Sequence, residues 1–163
     1  LARIYSAQGH TDKALEMFAQ AVRLNDGRGG ILNDYGRLLQ RLRRYREAEE
    51  AFFKSLELEP GRTALLLRAE ARRGRGNYPG ATADLTMLIY SQPGNLSYRL
   101  ARIETLFEAG NWPAVFLDLH ALLFAVTRLS PCPEDDFAFI AGHFAGRWHL
   151  LLPYSSAVTY FLG

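Results

Sequence analysis

The chain has 163 residues, 48% of them hydrophobic, a formal net charge of +2 and one cysteine. That length suits one domain or a short solenoid, the near balance of charge names no partner by bulk electrostatics, and a lone Cys132 excludes an internal disulfide. No apolar run is long enough to span a bilayer, because Pro153, Ser155 and Ser156 interrupt "HLLLPYSSAVTYFLG". Leu1 is not an initiator Met, and "LARIYSAQG" begins inside a helical pattern, so both ends read as cut. With no targeting segment in view, the expected compartment is the cytoplasm.

In chain order, "AQGHTDKA" predicts a first tight turn, with Gly9 ending one helix and Thr11 or Asp12 capping the next. Ala14 and Phe18 follow on that second helix. The next first helix, 31–42, carries Leu32, Tyr35, Leu39 and Leu42 at core spacing. "RLRRYREA" then has Arg43 where the other turns have Gly, at a cost of about 1 kcal/mol if the left-handed conformation is kept. "YREAEEAFFKSLELEP" is an amphipathic helix with Ala48, Phe52 and Leu56 four apart and Pro60 as its stop.

The third turn, "GRGNYPGA", pairs Gly76 with a capping Asn77 and an early Pro79, and Ala81, Leu85 and Pro93 follow. "EAGNWPAV" repeats this logic at Gly110, Asn111 and Pro113, followed by Val115 and Leu119. The small residues at 14, 48, 81 and 115 are therefore spaced 34, 33 and 34 apart, a fixed period that marks a repeat array. Tyr45, Tyr78 and Trp112 recur in register with the turns, which suits hairpin plugs; ligand stacking is the alternative.

A small residue recurring inside a bulky stripe implies close helix approach. Enlarging Ala48 or Ala81 to Leu is expected to cost about 1–3 kcal/mol, and Ala64, near a helix start, is expected to tolerate Leu better. The array occupies 1–127. Residues 128–163 begin with a Pro-rich break and the acidic run Glu134, Asp135 and Asp136. "FAGRW" there echoes "EAGNW", predicting a degenerate fifth hairpin or a capping segment.

The array resembles the tetratricopeptide repeats. The resemblance rests on Ala2, Tyr5, Gly9, Ala14, Phe18 and Ala21 in the first unit, and on Tyr35, Gly36, Leu39, Tyr45, Ala48, Phe52 and Pro60 in the second. It continues through Ala69, Gly76, Tyr78, Ala81, Leu85 and Pro93 in the third, where Arg72 stands in place of the usual apolar residue. The fourth unit is looser, with Ile103 and Val115 at the small positions. The resemblance implies an all-α fold, an α-solenoid of antiparallel helix-turn-helix repeats in a right-handed superhelix.

It also implies a concave groove lined by the first helix of each unit, which grips a partner's peptide or helix. Asn33, Arg37, Gln40 and Arg41 form a polar stripe on the second unit's first helix. Arg3, Arg37, Glu70 and Glu104 form a column along the array, and Arg73 adds a further basic group. The column is basic at one end and acidic at the other, which fits an acidic partner segment. A solvated face with internal Arg–Glu pairing explains the same residues. The Lys/Asn carboxylate clamp of some members is not carried over, because Thr63, Leu66 and Leu67 stand where it needs polar or basic groups.

Catalytic and metal chemistry find no support in spacing. His10, His120, His143 and His149 form no His-x-x-x-His pair, and there is no CxxC, HExxH or phosphate-loop Lys-Ser/Thr. No cofactor, metal or catalytic residue is expected, and the chain is not expected to be an enzyme. The expected function is a protein-interaction scaffold. Two alternatives stay open: an accessory region of a larger enzyme such as a glycosyltransferase or sulfotransferase, and an RNA-binding repeat suggested by "RLLQRLRRYR". Interleaved Glu and few exposed aromatics argue against nucleic acid.

Overall fold

The computed structural model describes residues 2–24 and 29–129. Among them the chain forms helices α1 (Ala2–Ala7), α2 (Thr11–Arg23), α3 (Gly29–Arg41), α4 (Tyr45–Leu58), α5 (Arg62–Gly74), α6 (Tyr78–Ser91), α7 (Leu96–Glu108) and α8 (Trp112–Leu129), and no strand. Contacts divide the chain into two compact units, 1–118 and 119–163. The proposed fifth hairpin, Cys132, His143, His149 and the acidic run at 134–136 lie outside the described residues. Within the first unit each helix packs on the next, α1 on α2 through α6 on α7. This is the nearest-neighbour packing of an all-α helical repeat.

The turns show why the period is so regular. Gly9, Arg43, Gly76 and Gly110 have φ of 79°, 59°, 81° and 69°, the left-handed conformation at equivalent places. Around Arg43 the amide of Arg43 donates to Gln40 O and that of Arg44 to Leu39 O, both at 2.9 Å. The pairs Gly76–Arg73 with Asn77–Arg72, and Gly110–Phe107 with Asn111–Leu106, repeat this pattern, which satisfies the last carbonyls of each first helix. Arg43 thus holds the glycine geometry with a Cβ. Arg43→Gly is expected to raise stability by about 1 kcal/mol, seen as a higher urea midpoint with an unchanged slope.

The caps follow the sequence in part. Asn77 Oδ1 accepts from Gly80 N at 3.2 Å and Asn111 Oδ1 from Ala114 N at 3.4 Å. At the first turn neither Thr11 nor Asp12 caps: His10 takes the cap position without a side-chain bond, and Thr11 Oγ1 donates back to Gly9 O at 3.3 Å. Thr11 is already the first helical residue, so its hydroxyl sits beyond reach of the amides a cap would satisfy.

Ala48, Phe52, Leu39 and Ala71 are fully buried and, with Leu67, make one core cluster across α3, α4 and α5. The Phe52 ring packs against Gly36, where an added Cβ would fall 2.4 Å from a ring carbon. Tyr45 packs in the same way over Gly74 of the next hairpin, and Trp112 stands edge-on to Phe107 with centroids 4.8 Å apart. Two sequence expectations fail here. Leu42 is exposed, because α3 ends at Arg41 and Leu42 turns away with the loop. Ala64 is 2% exposed, because it faces inward from the first turn of α5 while Arg62 and Thr63 beside it stay exposed.

Several polar groups inside the array are paired. Ser55 Oγ donates to Gly29 O at 3.0 Å. Asp84, 2% exposed, accepts from Arg68 Nε and Nη2 at 3.0 and 2.8 Å and from Arg72 Nη1 at 3.0 Å. Arg72 also donates to Glu49 at 2.8 Å, so the residue that departs from the repeat pattern joins α4, α5 and α6. One repeat on, Arg102 makes the same two-pronged bond to Asp118, at 2.6 and 2.7 Å.

Candidate functional site

The first helices α3, α5 and α7 share one face. α3 and α5 each run antiparallel to α4 across short turns, so they are parallel to one another. Arg37 and Glu70 are each the ninth residue of a 13-residue helix, and the charge of Arg37 acts on the Glu70 carboxyl across the gap. Between them lies a trough of about 750 Å³. Arg37, Gln40 and Arg41 line it from α3, Arg62, Thr63, Leu66, Leu67 and Glu70 from α5, and Gln92 and Tyr98 from beyond.

Charge in this trough is uneven. Glu70 stands in its wall, where burial pushes its carboxyl above the usual carboxylate range against the opposing effects of Arg73, a hydrogen bond with Gln40, and Arg37. Solvent still reaches the residue, so the burial is that of a crowded wall, not of a core. Arg73 donates to Glu104 at 2.9 Å and lies 3.7 Å from Glu108, and Arg3 pairs with Asp34. Arg37, Arg41 and Arg62 enter no ion pair among the described residues. Asn33, on the same stripe as Arg37, has its Oδ1 buried without a protein donor.

The raised Glu70 carboxyl has a stability consequence with a definite sign. Its contribution is fully present below the unfolded carboxylate pKa of about 4.3 and is lost as pH rises through the raised folded value. At neutral pH the ionised group is therefore a modest liability. Glu70→Gln is expected to raise the urea midpoint at pH 7, with the gain shrinking as pH falls toward 4; a gain that grows on acidification contradicts this.

Of the stripe and the column named from sequence, the structure brings Arg37, Gln40 and Arg41 of the stripe and Glu70 of the column to one trough. Arg73 and Glu104 pair with each other beyond it, and Arg3 is engaged on Asp34. Arg62, Gln92 and Tyr98 complete the lining and were not singled out in the sequence; Arg62 has no basic counterpart at Gly29 or Leu96 in the neighbouring repeats. Among the described residues no group of three or more His, Cys, Asp or Glu is placed to hold a metal ion. No described helix is long and apolar enough to cross a membrane.

Residues 1–31 and 30–62 each match a family model described as tetratricopeptide repeat. No curated protein matches the chain. In fold the chain is similar to the crystal structure of a tetratricopeptide repeat protein from Parabacteroides merdae, with a TM-score of 0.63 and 23% identity over 97% of this chain. The chain spans 62% of the length of that structure. Repeats of this kind are in general protein-interaction modules.

Proposed function

We propose that this chain, a tetratricopeptide-like helical repeat protein, binds an acidic segment of a partner protein in the trough along α3, α5 and α7. One observation carries the reading. Arg37, Arg41 and Arg62 line the trough together with Leu66 and Tyr98, and none of them makes a salt bridge among the described residues, Glu70 standing near Arg37 without bonding it. Guanidiniums present a planar fork of donors suited to carboxylates. The apolar shelf beside them supplies burial at about 25 cal/mol per Å². Glu70 at one end disfavours a uniformly acidic occupant, so it acts on specificity more than on affinity.

Selection from a random peptide library on the full chain tests this. Acidic peptides are expected to be enriched on the wild type and to bind at least about tenfold more weakly to an Arg37→Glu/Arg41→Glu variant. Circular dichroism of the variant should be unchanged, and added salt should reproduce part of the loss. Peptides without acidic enrichment, or binding that survives the double reversal at low salt, would place the partner elsewhere.

A further inference from the structure

Resting on that reading, we infer that the trough takes its occupant as an extended strand, not a helix, with two acidic residues four positions apart and an apolar residue midway. The spacing comes from α5. Arg62 precedes Glu70 by eight residues on one helix, a rise of about 12 Å, and Arg37 is level with Glu70. The two cationic ends of the trough are thus about 12 Å apart along the helix axis. An extended chain advances about 3.3 Å per residue, so four residues bridge the ends. Leu66 lies halfway between Arg62 and Glu70, and it receives the side chain midway between the two carboxylates.

The lining discriminates strand from helix by a second route. Gln40, Thr63 and Gln92 bring amides and a hydroxyl to the trough. A helix has already satisfied its backbone N–H and C=O groups internally, whereas an extended segment presents them to just such side chains. A docked helix also buries an apolar stripe at least about 100° wide. Leu66, Leu67 and Tyr98 are the only apolar residues among the ten that line the trough, and Leu67 is already packed into the core, so the lining does not cover such a stripe. Because Glu70 faces the Arg37 end, the Arg62 end holds the better-anchored carboxylate.

Fluorescence anisotropy with three labelled synthetic peptides and the full chain decides the matter. The first carries Glu-Ser-Leu-Ser-Glu between Gly-Ser flanks. The second has the same composition scrambled to Glu-Glu-Leu-Ser-Ser. The third is an Ala-rich helical peptide with Glu residues eight apart and Leu between them. The first is expected to bind at least about tenfold more tightly than the other two. Arg62→Gln is expected to weaken it about fivefold or more, with circular dichroism unchanged. Equal binding of the spaced and scrambled peptides overturns the spacing, and equal or tighter binding of the helical peptide overturns the extended mode; both leave an acidic groove intact. Indifference of all three peptides to Arg62→Gln and to Arg37→Glu/Arg41→Glu overturns the groove itself.

Discussion

Asp84→Ala is expected to destabilise the array by about 3–5 kcal/mol, the largest loss among its single polar substitutions. Asp84 is 2% exposed and accepts three guanidinium hydrogen bonds. Its removal leaves Arg68, whose side chain is only 13% exposed, charged and without its counterion. Arg72 suffers less because it keeps Glu49. Breaking one side of such a pair costs far more than the pair is worth, because the desolvation of both ions already offsets most of their attraction. Arg68→Met/Asp84→Leu is therefore expected to recover most of the loss. Urea midpoints of the single and double variants check this; a double variant as unstable as the single means that volume, and not the stranded charge, is responsible.

The second large effect lies at Gly36. Alanine in a helix interior is worth up to about 1 kcal/mol over glycine by propensity, so Gly36→Ala has a favourable local sign. Packing reverses it. The added Cβ meets three atoms of the Phe52 ring at 2.4, 2.6 and 2.9 Å, and Phe52, with no exposed surface, has nowhere to retreat. Overpacking of this kind costs about 1–3 kcal/mol, which wins. Gly30→Ala on the same helix is the control: its Cβ has nothing within 4 Å, and it is expected to be neutral or stabilising by up to about 1 kcal/mol. Phe52→Leu in the Gly36→Ala background should cost less than the two changes summed. Equal midpoints for the two alanine variants contradict the close approach.

The two cases differ in how visible they were. The small-then-large step at Ala48 and Phe52, and the turns at Gly9, Gly76 and Gly110, are local features that repeat, so a period exposes both the hairpins and their buried face. Arg43 was legible as the odd member of a series. Arg72 was legible only as a misfit, because Glu49 and Asp84, which explain it, sit on two other helices. Asp84 gave no signal: it is one position from the apolar Leu85, and its burial depends on Arg68 sixteen residues earlier. On the groove face, Arg37, Gln40 and Arg41 follow from helical spacing on α3. Arg62 does not, because it is unique to its repeat and enters the trough only when α3 and α5 are laid side by side.

The Arg–Asp pairs also make the array chemically uneven along its length. Arg68–Asp84 and Arg102–Asp118 occupy the same place in the third and fourth hairpins, whereas the second hairpin has Tyr35 and Ala51 there. Tyr35 instead leans on Phe18, with ring centroids 6.1 Å apart. At this place the two helices of the second hairpin thus meet through apolar surface, which loses strength on cooling. In the later ones buried charges carry part of the load, and their dehydration becomes less costly on warming. Cooling therefore weakens both kinds of hairpin, whereas warming favours those that carry the pair. A heated molecule is expected to loosen first at the hairpin that lacks the pair.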